Sequence, residues 1–207
     1  MSTEMRKAPR RRYRKRRRAE QEDETRRRIT EAAVDLHGSV GPARTTVSAV
    51  AERAGVQRAT VYRHFPDEQA LFTACSSHWL AQHPLPNPAD WSEIEDPAER
   101  VETALREMYA WFERGEPMLE RTTRDAALVP ALQPSMEAIA SWFALATDAV
   151  AAGRPERGAR RRRARGAIGH ALSFGTWRSL TREQRLPVDE AIALMLGLVA
   201  TAAGRAS

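Results

Sequence analysis

Residues 45–72 read TTVSAVAERAGVQRATVYRHFPDEQALF, and this segment decides the fold class of the chain. Before the turn at Gly55, small apolar residues recur at helical spacing behind Thr46, whose hydroxyl can cap a helix. Gly55 suits the left-handed backbone conformation that ends a helix and turns the chain sharply. After it, Val61 and Phe65 mark the inward face of a second helix. The segment therefore predicts a helix-turn-helix, whose second helix enters the DNA major groove.

The same segment resembles the TetR family of one-component bacterial repressors. A weaker likeness covers residues 170–195, whereas residues 80–165 match no pattern of the family. The resemblance implies an all-α protein, with an N-terminal three-helix helix-turn-helix domain and a larger C-terminal helical domain for ligand binding and dimerisation. The residues that carry it are Thr46-Val47, Val50-Ala51, Ala54-Gly55-Val56, Thr60-Val61-Tyr62 and His64-Phe65, followed by Leu71-Phe72.

Two positions depart from the family pattern. Gln57 stands where the family usually has Ser or Thr, so the second helix is expected to begin with a poorer N-cap. Glu68 stands where a Lys commonly contacts the DNA backbone. A carboxylate there would repel phosphate, so the resemblance implies no DNA contact for Glu68.

Polar side chains on and around the two helices are the candidate DNA contacts. The resemblance implies that some of them bind phosphates while others approach the base edges. Arg58 is the best candidate for base recognition, because a guanidinium can read a guanine through two parallel hydrogen bonds. The predicted phosphate contacts are Thr46, Tyr62 and His64. The predicted base contacts are Arg58, Thr60 and Arg63, with Ser48 and Gln57, and Arg44 completes the predicted DNA-binding set.

Positive charge is concentrated at the N-terminus. Residues 1–18 hold ten Lys or Arg against Glu4, a net charge of +9, whereas the whole chain carries +6. Because a run of like charge repels itself, residues 1–21 are predicted to be an Arg-rich arm that is disordered in isolation. Beside a DNA-binding domain, such an arm can lie along phosphates or enter a minor groove. The alternative is a solubilising tail.

With the helical periodicity, the resemblance implies a helix-turn-helix DNA-binding domain over residues 22–66 and a helical regulatory and dimerisation domain over residues 67–207. A first helix is predicted over residues 22–37 and a fourth over residues 67–80. Four prolines within residues 83–97 predict a loop. The later helical patterns cover residues 101–112, 116–125, 136–150, 164–179 and 188–202.

Aromatic and sulfur-containing residues of the larger domain form the candidate ligand pocket. In TetR-like proteins, the helices that carry them surround a cavity, and a bulky apolar or aromatic effector needs this kind of lining. The alternative is an ordinary hydrophobic core, since aromatic residues at helical spacing commonly pack against each other. The predicted lining is Met108, Trp111, Phe112, Met118, Trp142, Phe143, His170, Phe174 and Trp177.

Two stripes of small and apolar residues near the C-terminus predict a dimer interface. Four helices about a two-fold axis would bury both stripes, and a dimer could read two half-sites about 34 Å apart. The alternative is a core within one subunit. The predicted interface residues are Ile168, Ala171, Leu172, Gly175, Ser179, Ile192, Met195 and Val199.

Several function classes are disfavoured by what the sequence contains. Cys75 is the single cysteine, so it forms no internal disulfide, and the histidines lack metal-ligand spacing. The chain has no long apolar run for a membrane span, no signal-peptide pattern and no catalytic motif, which predicts a cytoplasmic, non-enzymatic protein without cofactor or metal. Its predicted partners are double-stranded DNA, a second copy and an apolar effector. The remaining alternative is a constitutive DNA-binding protein or activator that relies on its basic arm.

Overall fold

A computed structural model describes residues 8–204 of the chain, with side chains described from Tyr13 onward. The described part is all-α, as predicted: it holds ten α-helices and no strand. The helices are α1 (Ala8–Ser39), α2 (Val47–Ala54), α3 (Arg58–His64), α4 (Glu68–Gln82), α5 (Pro88–Ser92), α6 (Pro97–Asp125), α7 (Gln133–Ala151), α8 (Gly158–Ala171), α9 (Phe174–Arg178) and α10 (Val188–Ala202). None of the helices in this part of the chain has the length and apolarity that a membrane span requires.

The N-terminal helices share a small hydrophobic core. Ile29 and Ala33 of α1 are completely buried against Val50 of α2, Val61 of α3 and Leu71 of α4. These positions follow the helical spacing seen in the sequence, so each helix turns its apolar stripe toward the others. The core fixes the orientation of α2 and α3 relative to α1.

Helix α1 starts much earlier than predicted. It runs from Ala8 to Ser39, so residues 8–21 are helical where the sequence predicted a disordered arm, and residues 1–7 lie outside the described part. Arginine, lysine and glutamate are good helix formers. Two ion pairs at i,i+4 spacing, Arg16 with Glu20 and Arg18 with Glu22, also offset the repulsion within the basic run.

The C-terminal domain surrounds a second core, and it departs from the predicted element boundaries in three places. Helix α6 continues through Pro117 as one helix of 29 residues, although a proline inside a helix removes one backbone hydrogen bond and crowds the preceding turn. The proline-rich stretch contains α5, which places Pro88 in the first turn, where no amide donor is needed. The stripe predicted over residues 164–179 breaks after α8, and Ser173 caps a new helix, α9.

The last turn of α6 touches the DNA-binding domain. Arg121 donates to the carbonyl of Ser39 at 2.8 Å, and Arg124 donates to that of Val40 at 3.3 Å. Gly41 follows with a φ of 99°, and a side chain there would collide with Arg124 and with the carboxylate of Asp125. The segment between α1 and α2 is therefore held directly by α6.

Candidate nucleic-acid interface

Helix α2 begins and ends as its sequence predicts. The hydroxyl of Thr46 accepts a hydrogen bond from the amide of Ala49 at 3.1 Å, an N-cap worth about 1 kcal/mol. At the other end, Gly55 adopts a φ of 65° and its amide donates to the carbonyl of Ala51. This left-handed residue turns the chain within three positions into α3, so both ends of the motif are fixed by local chemistry.

Helix α3 divides its residues between the core and the surface. Val61 and Phe65 are buried, whereas Arg58, Arg63 and Tyr62 are exposed. Gln57 occupies the N-cap without a side-chain hydrogen bond, which confirms the poorer cap predicted there. A seven-residue helix with a weak start is not stable alone, so α3 depends on its packing for its position.

Two arginines of α1 support the C-terminal ends of α2 and α3. Arg28 donates to the carbonyl of Ala54, the last residue of α2. Arg26 donates to the carbonyl of His64 at 2.6 Å and lies over the ring of Phe65, 4.2 Å from its centroid. A cation at a helix C-terminus satisfies free carbonyls and opposes the negative end of the helix dipole.

The sequence did not identify these supporting roles. The periodicity of α1 does not reveal where α2 and α3 end in space. Arg27, between the two supporting arginines, instead forms ion pairs with Glu24 and Glu31 on its own helix, both at 2.8 Å.

The predicted DNA contacts lie at the start of α2 and along α3. Seven of the nine are exposed, and Thr60 and His64 are half-buried. Glu68, which was not expected to contact DNA, lies in the first turn of α4, where its negative charge interacts favourably with the positive end of the helix dipole. The exposed residues are Arg44, Thr46, Ser48, Gln57, Arg58, Tyr62 and Arg63.

His64 lies on a cleft between α1 and α3. The cleft has a volume of about 320 Å³ and opens beside the exposed end of α3. The Nε2 atom of His64 is buried and has no hydrogen-bond partner among the described residues. Burial, with the charges of Arg63 and Arg26, lowers the pKa of His64, so its ring is held neutral at pH 7. The lining residues are Arg18, Gln21, Glu22, Thr25, Arg63 and His64.

The aromatic residues predicted to line a ligand pocket form the centre of the second core. The ring of Phe112 lies 5.5 Å from Phe174, 5.8 Å from Trp177 and 6.3 Å from Phe143, measured between centroids. Met108, Trp111 and Trp142 belong to the same cluster. The indole nitrogen of Trp177 is buried there without a hydrogen-bond partner in the described part of the chain.

Two of the predicted pocket residues lie elsewhere. Met118 points toward Gly38 of α1, because the continuous α6 carries it past the aromatic cluster. His170 is exposed, and its ring nitrogens lie 3.3 and 3.4 Å from the hydroxyl of Thr176. Whether the seven remaining residues bind an effector stays a prediction.

Six of the eight predicted dimer residues belong to the core of this subunit, so their assignment to an interface is wrong. Periodicity identifies a buried face without telling which surface covers it. Gly175 is exposed and Ser179 half-buried. The six buried residues are Ile168, Ala171, Leu172, Ile192, Met195 and Val199.

The outward faces of α8 and α10 carry a different set of residues. Leu194 and Leu198 of α10 are 50% and 39% exposed, respectively. Gly197 beside them and Gly166 of α8 have open space where a side chain would stand. A surface of leucine and glycine on two neighbouring helices allows close approach by another helix pair.

Cys75 and the acidic and histidine residues carry the side chains best suited to nucleophilic or metal chemistry. Cys75 is buried between α4 and α1, and burial raises the pKa of its thiol to about 12. It therefore behaves as a small hydrophobic residue. Within residues 8–204 no group of three or more Cys, His, Asp or Glu is placed to hold a metal ion.

Comparison with known proteins finds a family match for the helix-turn-helix segment. Residues 29–75 match the model of the bacterial regulatory proteins, tetR family, which covers α2, α3 and the adjoining parts of α1 and α4. The resemblance inferred from residues 45–72 is thereby confirmed. No curated protein matches the sequence significantly.

Solved structures extend the likeness to the whole fold. NalD of Pseudomonas aeruginosa, the secondary repressor of the MexAB-OprM multidrug efflux pump, has a TM-score of 0.59 at 22% identity, covering 88% of this chain and 96% of its own. A Clostridium perfringens protein named as a candidate fatty acid metabolism regulator has a TM-score of 0.60 at 16% identity, covering 84% and 97%. A TetR-like transcriptional regulator of Rhodococcus has 0.53 at 19%, covering 87% and 97%. At these identities the likeness concerns the fold.

Proposed function

We propose that this chain, which carries the TetR-family helix-turn-helix domain in residues 29–75, is a homodimeric repressor that binds a pseudo-palindromic operator through α3. One observation carries the proposal. Helix α3 is short and poorly capped, yet it is held at its C-terminal end by Arg26 and packed through Val61, while its polar residues face outward. Such an arrangement serves a helix that must present side chains to a partner.

In this proposal, some side chains around α3 contact bases and others contact phosphates. Arg58, Thr60 and Arg63 approach bases, with Ser48 and Gln57 beside them. Phosphates are bound by hydroxyls and a cation at the edges of the motif, together with the half-buried, neutral ring of His64. The hydroxyl of Thr46 already accepts a hydrogen bond from Ala49, so its hydrogen remains free to donate to a phosphate oxygen. The proposed phosphate contacts are Arg44, Thr46, Tyr62 and His64.

A second copy of the chain supplies the other half-site. One recognition helix reads only a few base pairs, whereas two helices held about 34 Å apart read both halves of a pseudo-palindrome. We assign the contact between copies to the outward faces of α8 and α10, which carry Leu194, Leu198, Gly166 and Gly197. Because it acts on the chromosome, we place the protein in the cytoplasm, and its function needs no catalysis.

Selection of bound fragments from the source genome would test DNA recognition. The recovered fragments are expected to share an inverted repeat. Arg58→Ala should flatten base preference at one position in each half-site, by about 1 to 3 kcal/mol, and leave the other positions unchanged. Arg53→Ala is the matched control, since Arg53 lies on α2 but faces Asp35 of α1 at 3.5 Å. Equal loss of affinity on every sequence would contradict a base-reading role for Arg58.

Release from DNA by a small molecule is the second part of the proposal. The unpartnered indole nitrogen of Trp177 lies within an aromatic cluster, so it offers a hydrogen-bond donor to an apolar or aromatic effector with one acceptor. Three rings of the cluster are half-buried and can move to admit a ligand: Trp142, Phe143 and Phe174. To empty an occupied operator, the effector must favour the released state by about 5.5 kcal/mol.

A panel of aromatic compounds, scored by thermal shift and by release of the selected DNA, would find such an effector. Trp177→Phe keeps the ring and removes the donor, so it should weaken binding of an effector that uses this group while DNA affinity is retained. If no compound both stabilises the protein and releases DNA, the result favours a protein that binds DNA without an effector.

The alternative is a constitutive DNA-binding protein or activator that depends on its basic N-terminus. The close packing of Phe112 against its aromatic neighbours favours it, since the cluster is filled by its own side chains. Deletion of residues 1–18 separates the two functions. The alternative predicts loss of nearly all affinity at physiological salt, whereas the repressor retains recognition through α3.

A further inference from the structure

Helix α1 extends well beyond the domain that it supports. Its first buried residue is Ile29, and every described residue from Tyr13 to Glu24 is exposed. At 1.5 Å per residue, the 16 positions between Tyr13 and Ile29 span about 24 Å. This exposed half of α1 carries five of the ten Lys and Arg that lie within residues 1–18, and it has no core of its own to cover.

The helix face that is buried over the domain continues into the exposed half of α1, where its residues are polar or charged instead of apolar. Ile29, Ala33 and Leu36 pack on the domain at spacings of three and four residues. The same spacing, followed toward the N-terminus, passes through Thr25, Glu22 and Arg18 and reaches Lys15 and Arg14. The face that is apolar over the domain is therefore basic where the domain ends.

This basic part of the stripe begins at the end of the recognition helix. Arg18, Glu22 and Thr25 line one wall of the cleft described above, and Arg63 and His64 of α3 line the other. Arg63 is also a proposed base contact, so the cleft lies at the border of the DNA-binding surface. Arg14 and Lys15 lie one helical turn further out along the same face.

Ion pairing leaves the outer cations available for a partner. Arg18 is paired with Glu22 on its own helix at 3.0 Å. Among the described residues, neither Arg14 nor Lys15 has an ion-pair partner. Two adjacent cations on a fixed helix face, directed away from their own domain, complement the negative charge of a phosphate backbone.

We propose that the basic stripe of α1, formed by Arg14, Lys15 and Arg18, binds as a helix to the phosphate backbone of the DNA just outside the base pairs that α3 reads. This inference rests on the proposed function. It differs from a flexible basic arm, because a rigid helix presents one face to the duplex, whereas a disordered segment uses all of its cations equally. The pairs Arg16–Glu20 and Arg18–Glu22 hold the segment helical.

Two double variants with the same loss of charge test the face. Arg14→Gln with Lys15→Gln removes cations from the basic stripe, whereas Arg16→Gln with Arg17→Gln removes two from the opposite side of α1. Successive helical residues are about 100° apart, which places positions 16 and 17 more than 100° from the stripe centre. Glutamine is as good a helix former as arginine and lysine. The Arg16 and Arg17 double variant also loses the exposed ion pair with Glu20, so circular dichroism must show that both double variants keep their helix content before their slopes are compared.

Binding is measured by fluorescence anisotropy over a range of salt concentrations. The probe is a duplex recovered in the genomic selection, with about one helical turn of flanking sequence on each side. Loss of two phosphate contacts in each subunit should flatten the slope of log K against log salt by roughly 3.6 for the dimer. The Arg16 and Arg17 double variant should change this slope by less than half as much.

A trimmed duplex that ends at the recognised base pairs provides the second readout. On this probe the difference between the two double variants should disappear, because the flanking phosphates are gone. Equal losses from both variants, or no loss from either while the unmodified protein binds, would overturn this inference and leave the proposed function standing. Failure of the unmodified protein to bind any duplex would overturn both.

Discussion

The carboxylate of Asp125 accepts a hydrogen bond from the backbone amide of Ala43, 3.0 Å away and 82 residues earlier in the chain. Asp125 is buried at the end of α6, and Ala43 lies three residues before the N-cap of α2. Arg124 donates to the same carboxylate at 2.7 Å, and this hydrogen bond is the largest cause of the lowered pKa of Asp125. The carboxylate of Asp125 thus adds a charged contact between α6 and the segment before α2 to those that Arg121 and Arg124 make with Ser39 and Val40.

Asp125→Ala should destabilise the protein by about 1.5 to 3 kcal/mol, since it removes a charged acceptor from a buried site. Urea denaturation measures the loss, and hydrogen exchange should quicken at the amides around Thr46. Asp148→Ala is the control: its pair with Arg165, also at 2.7 Å, is exposed and worth less than about 1 kcal/mol. Equal effects of the two substitutions would mean that the contact with Ala43 contributes nothing.

The pH dependence of the Asp125 contact follows from the direction in which folding shifts the pKa of Asp125. Because the folded state lowers this pKa below 3.8, the stabilisation is present above that value and is lost as the pH falls through the folded pKa. The difference in stability between the unmodified protein and Asp125→Ala should therefore stay constant at neutral pH and shrink only in strong acid.

His37 is expected to make stability depend on pH in a milder range. Its ring is buried and stacked on Phe72, with centroids 4.7 Å apart, and burial lowers its pKa from 6.5 to about 4. The unfolded chain takes up this proton below pH 6.5 whereas the native state stays neutral until about pH 4, so stability falls across that window by at most roughly 3 kcal/mol.

His37→Phe keeps the stacking and removes the titration. Stability curves of the two proteins should therefore differ in slope between pH 6.5 and 4 and run parallel above it, because all carboxylates titrate alike in both. Chemical denaturation at a series of pH values provides the measurement. Parallel curves throughout the range would show that His37 is protonated in the folded protein.

Leu198→Glu should convert the proposed dimer into a monomer. A charge in the middle of an apolar contact between α10 helices must be desolvated, and two symmetry-related copies would repel each other. Sedimentation velocity gives the mass, and operator affinity should fall with it. Leu128→Glu is the matched control, since Leu128 is 71% exposed but lies after α6, away from this surface. If the Leu198→Glu variant is still a dimer, the interface does not lie on this face of α10.

The sequence predicted best what local chemistry decides. The N-cap at Thr46 and the left-handed turn at Gly55 depend on a few neighbouring residues, and both are confirmed. Contacts between distant segments left no such pattern, which is why the Asp125–Ala43 bond was missed. The predicted dimer residues were wrong for a related reason. Ile192 and Leu198 are both apolar residues of α10, and the sequence does not tell which of them faces the core of the subunit and which faces outward.

The positioning role of Arg26 gives the last prediction. Arg26→Ala removes both the hydrogen bond to the carbonyl of His64 and the stacking on Phe65, so stability should fall by about 1 to 2 kcal/mol. Arg27→Ala, one residue away, breaks only exposed ion pairs and should change stability by less than about 1 kcal/mol. Operator affinity should drop for the first variant with an unchanged salt slope, because α3 is misplaced while no phosphate contact is lost. A flatter salt slope at unchanged stability would instead make Arg26 a direct phosphate contact.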